Sequence, residues 1–128
     1  MMLMASTGKA RNSAGEPEAG VEISVAEITS LTDTALGFRL GTTTREQLDC
    51  YVPRLARELS RLLGKDLGAD EDPGVQQLVR KAREMVDLTA RPTVDTPTFG
   101  TFFYLRDLAN LSRRLLWVYA TRNELGAP

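Results

Sequence analysis

The pattern of apolar and polar positions along the chain predicts α-helices. Apolar residues recur at three- and four-residue intervals, the spacing that places side chains on one face of a helix. Ser24 and Glu27 match a capping box at the start of the first such segment, and Gly37 or Gly41 is positioned to end it. We therefore expect a first helix over about residues 24–37. Its apolar positions are Ile28, Leu31, Ala35 and Phe38.

A longer amphipathic segment predicts the second helix. Thr44 and Gln47 form another capping-box pair, and Gly64 supplies a stop. Pro53 lies inside this helix, where a proline removes one backbone donor, and we expect a bend that wraps the helix around its neighbours. The apolar face consists of Leu48, Val52, Leu55, Leu59 and Leu62.

The third helix has a clear start. Asp72-Pro73 is the pattern of an N-cap residue followed by a proline in the first turn, and Arg91-Pro92 is expected to end the helix. The acidic residues just before it do not match the spacing of a calcium-binding loop, and the helix dipole favours them, so we predict no metal site there. The apolar face of this helix is Val75, Leu78, Val79, Ala82, Met85 and Val86.

The fourth helix, predicted over about residues 98–122, has an unusually wide apolar face. At 100° per residue its apolar side chains cover an arc of roughly 200°, more than one contact in a bundle requires. We therefore expect a central helix, or a helix shared with another subunit. The residues of the arc are Leu105, Leu108, Ala109, Leu111, Leu115, Leu116, Val118 and Tyr119.

Three aromatic residues of this helix, Phe99, Phe103 and Trp117, fall outside the wide apolar arc. The interpretation we favour is that the N-terminal tail or the first helix covers them, since bundle helices often have two buried faces. The alternative is an exposed surface of aromatic and arginine side chains, the composition of a protein-interaction hot spot. The polar residues on the same side are Arg106, Asp107, Asn110, Arg113 and Arg114.

The N-terminal segment, residues 1–21, carries Ser, Gly, Ala, Pro and Glu without an apolar repeat. Such a composition cannot bury enough surface to offset the entropy of ordering, so we predict a disordered tail. The remaining residues, 22–128, are predicted to form one domain. The expected fold is all-α, a four-helix bundle behind the tail.

Charge and cysteine content limit the cellular setting. The chain has 16 basic and 17 acidic residues, so no overall field attracts nucleic acid or an anionic membrane. No apolar run reaches the ~20 residues that a membrane-spanning helix needs, and the N-terminus lacks the apolar core of a signal peptide. Cys50 is the single cysteine. We therefore expect a cytoplasmic protein without disulfides.

Histidine is absent from the chain. This absence argues against Ser-His or Cys-His catalysis, His-ligated zinc and a His-ligated haem. No Walker motif and no G-x-G-x-x-G motif is present. We accordingly predict no catalytic residue, no metal and no cofactor, and favour a protein that is not an enzyme.

Two hypotheses for function follow. The first is a non-enzymatic module that binds another protein or itself through an interaction surface formed by Arg106, Asn110, Arg113 and Trp117. The second is a small-molecule site beside the Pro53 bend, in an enzyme or a ligand-responsive regulator. Its pocket would be lined by Tyr51, Tyr104 and Arg114. Nucleic-acid binding is not expected, because the fourth helix is mostly apolar and a double-proline linker precedes it.

The order of these signals resembles small uncharacterised actinobacterial proteins described as natural-product-biosynthesis accessory proteins. The likeness covers roughly residues 30–124. It implies a streptomycete-like cytoplasmic origin and a biosynthetic or regulatory setting, and it implies no reaction and no catalytic residue. The segments that carry it are Leu48-Asp49-Cys50-Tyr51-Val52-Pro53-Arg54-Leu55, Asp72-Pro73, Val79-Arg80-Lys81-Ala82-Arg83 and the stretch from Tyr104 to Leu116 that contains Ser112-Arg113-Arg114.

Overall fold

The computed structural model describes residues 22–123, and within that range all regular structure is helical. The predicted all-α, four-helix fold is confirmed. The predicted disordered tail, residues 1–21, and the last residues, 124–128, lie outside the described part of the chain. The helices are α1 (Val25–Gly37), α2 (Arg45–Leu63), α3 (Pro73–Val86) and α4 (Thr98–Arg122), and a short 3-10 helix spans Leu88–Ala90.

Side-chain caps fix the starts of the first three helices where the sequence predicts them. The Ser24 hydroxyl accepts a hydrogen bond from the first turn of α1 at 3.2 Å. Thr44 and Gln47 form a reciprocal capping box at the start of α2, with distances of 3.1 and 2.9 Å. The Asp72 carboxylate accepts two backbone N–H groups at the start of α3. Each cap satisfies donors that a helix start otherwise leaves without a partner.

Helix α3 ends at Val86, earlier than the predicted end at Arg91-Pro92. The Asp87 carboxylate accepts hydrogen bonds from the N–H and the hydroxyl of Thr89, at 2.9 and 2.8 Å. Such local bonds compete with the helical pattern, so the chain turns into the 3-10 helix instead. The Arg91 guanidinium then donates to the carbonyl of Val86 and satisfies one acceptor at the end of α3.

Long-range hydrogen bonds show how the helices run. Arg45, at the start of α2, donates to the carbonyls of Thr93 and Thr96, just before α4, at 2.7 Å each. Arg122, at the end of α4, pairs with Asp66, just after α2, at 3.2 Å. Helices α2 and α4 therefore run in the same direction and pack directly against each other. Helices α1 and α3 flank this pair and do not contact one another.

Helix α4 lies at the centre of the bundle together with α2: each of the two packs against the other three helices. The three neighbours of α4 account for its wide apolar arc without a second subunit. The fully buried leucines of α4 meet those of α2, such as Leu55 and Leu59, in one core. The buried residues of α4 are Thr101, Phe102, Leu105, Leu108, Ala109, Leu111, Ser112, Leu115, Leu116 and Ala120.

A loop after α2 is clamped to the end of α4. Gly68 has a φ of +76°, a conformation that side chains disfavour, and an added Cβ would lie 2.7 Å from the Arg122 guanidinium. The Asp66 carboxylate accepts the Gly68 N–H at 3.0 Å and pairs with Arg122. These contacts lower the pKa of Asp66, with the Gly68 hydrogen bond as the larger cause. The clamp fixes the two parallel helices at their C-terminal ends.

Helix α2 continues through Pro53, whose side chain is exposed. In a regular helix the carbonyl of Asp49 would accept a hydrogen bond from the N–H of residue 53. Proline has no N–H, so this carbonyl lacks its helical donor.

No helix within residues 22–123 combines the length and the apolarity that crossing a bilayer requires.

Candidate interaction surface on helix α4

Three aromatic side chains of α4 are about half exposed: Phe99 at 58%, Phe103 at 50% and Trp117 at 53%. We expected the tail or the first helix to cover them. Helix α1 does not, because it packs beside α4 and leaves these rings in contact with solvent. The tail lies outside the described residues. Helix α4 therefore presents large apolar side chains on its outer face.

These rings share one line with polar residues predicted to form the interaction surface. We call the set Phe99, Phe103, Arg106, Asn110, Arg113 and Trp117 the α4 strip; all six residues are exposed. Successive members are four, three, four, three and four residues apart, so at 100° per residue they lie within an arc of about 80°. The strip follows the helix for about 27 Å.

The strip meets α1 along one edge. The Asp33 carboxylate pairs with the Arg113 guanidinium at 3.1 Å, and both side chains are at least half exposed. Beside them lies a hollow of about 120 Å³ whose lining includes Thr29 and Trp117. The Thr29 hydroxyl is buried and has no hydrogen-bond partner among residues 22–123. This edge offers little room for a side chain of a partner.

The edge toward α3 is more open. A groove of about 360 Å³ is lined by Leu78 and by four α4 residues that include Arg114, Trp117 and Val118. A second hollow of about 410 Å³ continues past Trp117 and Val118 toward Val75. The indole of Trp117 therefore stands as a ridge with concave surface on both sides. Sequence periodicity placed Val118 in the buried arc, but it is only partly buried and lines this groove.

The outer face of α4 carries an excess of positive charge. Arg106, Arg113 and Arg114 are exposed there, whereas Asp107 is its single exposed carboxylate. Arg113 is paired with Asp33 of α1. Arg106 and Arg114 form no hydrogen bond or ion pair with any residue of the described range. As far as residues 22–123 are concerned, two guanidinium groups can therefore pair with an anionic partner.

The three residues predicted to line a ligand pocket are not brought together. The Tyr51 ring packs edge-on against Phe38, with ring centroids 5.3 Å apart, and the Arg54 guanidinium lies 5.1 Å from its centre. The Tyr104 hydroxyl donates to the backbone carbonyl of Met85, and burial raises its pKa. Each tyrosine therefore has its own packing role in a different part of the bundle.

Arg114 is ten residues after Tyr104 on the same helix, about 15 Å along the axis. These contacts give no support to a shared pocket for Tyr51, Tyr104 and Arg114, which stays a prediction. Sequence spacing alone does not say which neighbour each turn of α4 faces. Of the three residues, Arg114 lines the α3 edge of the strip.

A groove does lie beside Pro53, with different residues around it. It has a volume of about 360 Å³, and its walls come from α2 and from the loop before α4. The Arg45 hydrogen bonds to Thr93 and Thr96 hold that loop in place. No sequence signal indicated that the loop crosses α2 here. The lining residues are Arg45, Asp49, Val52, Pro53, Arg91, Pro92, Thr93 and Val94.

Within residues 22–123, no three His, Cys, Asp or Glu side chains are grouped so that they would hold a metal ion. Cys50 is a free, exposed thiol on α2. The described residues thus give no specific support to metal or thiol chemistry.

No protein-family model matches the chain, and no curated protein or solved structure is significantly similar to it. The resemblance to actinobacterial accessory proteins stays a prediction.

Proposed function

We propose that this chain is a non-enzymatic helical module that binds another protein through the α4 strip. The observation that carries the proposal is the alignment of three half-exposed aromatic rings with arginines on the outer face of helix α4. Trp and Arg are enriched among the residues that dominate binding energy at protein interfaces. Aligned exposed aromatic rings are a feature of binding surfaces on soluble domains.

The geometry around Trp117 favours a protein partner. The ring borders an open groove on its α3 side, where a partner side chain can pack against the indole. An anchor of this kind, held on a packed helix, loses little conformational entropy on binding. The cytoplasmic location and the biosynthetic or regulatory setting remain predictions within this proposal.

Site-specific photo-cross-linking in cells of the native host tests the proposal. A photoreactive phenylalanine analogue replaces Trp117 in one variant and Arg80, an exposed residue of α3 outside the strip, in a matched control. We expect a discrete cross-linked protein from position 117 and none from position 80. Equal products from both positions, or none from position 117, would contradict the proposal.

A second candidate function is small-molecule binding in the groove beside Pro53. Its volume of about 360 Å³ falls within the usual range of ligand sites, and its walls include Asp49 and two arginines. A thermal-shift screen against a metabolite panel tests it. A ligand at a hundred times its Kd should add about 2.7 kcal/mol to the free energy of unfolding.

Val94 provides the matched variant for that screen. It is 94% exposed and lies at the rim of the groove, so Val94→Trp should obstruct the groove without disturbing the core. We expect this variant to lose the ligand-induced shift. A shift of equal size in both proteins would place the ligand elsewhere.

A further inference from the structure

We infer that the partner segment seated on the α4 strip is an acidic amphipathic α-helix. This inference rests on the proposed function, and it adds the shape and the charge of the partner. Both follow from the positions of the strip residues.

The spacing of the strip indicates a helical partner. Alternation of three and four residues is the pattern by which two helices pack side by side along a seam. Phe103 and Trp117 are two heptads apart, and Asn110 lies midway between them. A polar residue at such a core position is a common device for fixing the register of paired helices. The groove toward α3, beside Leu78, offers space for the apolar side chains of the incoming helix.

The charge of the strip indicates an acidic partner. Arg106 and Arg114 lie along the same exposed face as the aromatic rings and have no acidic partner among the described residues. Arg106 lies within the strip and Arg114 lies beside it, and charged residues at or next to a helical seam form salt bridges that select the partner. Glutamates on either side of the apolar stripe of an incoming helix would meet these two guanidinium groups.

A second copy of the chain does not supply this complement. Apart from Arg113, which pairs with Asp33 of its own chain, the exposed face of α4 carries two arginines and one aspartate, so two copies paired along this face would leave at least one arginine of each copy unmatched. Like charges brought together at an interface oppose association. Nucleic acid is also a poorer fit, because Asp33 and Asp107 lie among the arginines and the chain has a formal net charge of −1.

Designed peptides test the inference, with Trp117 as the reporter because it is the only tryptophan of the chain. One tryptophan-free peptide of about three heptads has Leu at the seam positions and Glu on both flanks; its counterpart has Lys in place of Glu. A single-stranded oligothymidine is the third probe. We expect the Glu peptide to shift the Trp117 emission to the blue and to bind about tenfold more tightly than the Lys peptide at low salt.

A charge-reversed variant with a matched control completes the experiment. Arg106→Glu with Arg114→Glu should invert the preference toward the Lys peptide, whereas Arg80→Glu with Arg83→Glu, the same change at exposed positions of α3, should leave it unaltered. The preference should shrink as salt is added. Circular dichroism verifies that both variants fold. If a variant does not fold, the comparison of the two peptides on the wild-type protein still tests the inference.

The outcomes separate this inference from the proposed function. Equal binding of the two peptides, tighter binding of the Lys peptide, no binding of the Glu peptide, or binding of the oligothymidine in its place overturns the acidic-helix partner. Cross-linking from position 117 would still support a protein interface in those cases. Absence of a cross-linked protein from position 117 would contradict the proposed function itself.

Discussion

At the residue scale, Tyr104 shows how a side chain that looks suited to chemistry is used for packing. Its hydroxyl donates to the carbonyl of Met85, near the end of α3, where carbonyl groups lack helical donors. Burial disfavours the charged phenolate and so raises the pKa of Tyr104. The residue therefore joins α4 to α3 and is kept neutral in the folded state.

The substitution Tyr104→Phe should reduce stability by about 1 kcal/mol at neutral pH, because the Met85 carbonyl loses its donor. The pH dependence has a definite sign. Since the folded-state pKa is raised above the ordinary value of 10.0, the unfolded chain loses this proton first as the pH rises. The stabilising contribution is thus present below about pH 10 and is lost as the pH passes through the folded-state pKa.

Urea unfolding of the wild type and of Tyr104→Phe at about pH 7 and about pH 10.5 measures both effects. The gap between the two free energies of unfolding should be smaller at the higher pH. A gap that widens there would mean that the fold favours the phenolate, contrary to the effect of burial.

At the scale of the elements, local and long-range signals differ in what they predict. Caps such as Thr44 with Gln47 involve residues three apart, so the helix starts follow from neighbouring residues alone. The end of α3 was missed because the Asp87 side chain stabilises a competing turn. The groove beside Pro53 could not be predicted from the sequence, because it depends on hydrogen bonds from Arg45 to a loop about fifty residues away.

Pro53 offers a test of what the interior proline of α2 costs. Its side chain is exposed, so Pro53→Ala removes little packing, and it returns an N–H donor to the carbonyl of Asp49. Proline is ~3 kcal/mol less favourable than alanine inside a helix. We expect the substitution to raise the free energy of unfolding by about 1–3 kcal/mol, measured by chemical denaturation.

The control for that measurement is Arg57→Ala, at an exposed position of the same helix, which should change stability by less than about 0.5 kcal/mol. An unchanged or lower stability of Pro53→Ala would show that α2 needs the proline-induced geometry to pack against α4. In that case Pro53 is needed for the packing of the bundle, and a substitution there would alter the fold as well as the groove.

At the scale of the whole molecule, the arrangement of the helices decides which apolar surface remains. The sequence predicts a wide apolar arc on α4 but does not say whether one chain or two would cover it. The structure covers it with α1, α2 and α3 of the same chain. The exposure of the aromatic rings is harder to predict, because it depends on where α1 packs against α4. The pattern of neighbouring residues in the sequence does not indicate that position.

This arrangement predicts that the isolated chain is a monomer at micromolar concentration. The described residues form one continuous core, and Arg106 and Arg114 on the exposed face of α4, which have no acidic partner among the described residues, oppose the pairing of this face with a second copy. Light scattering coupled to size exclusion should therefore give the mass of one chain, for the wild type and for Trp117→Ser alike. A dimer that dissociates on Trp117→Ser would make the strip a self-interface and would remove the charge argument for an acidic partner. A dimer insensitive to that substitution would locate self-association on another surface, and competition with the Glu peptide would then decide whether the strip is still free to bind.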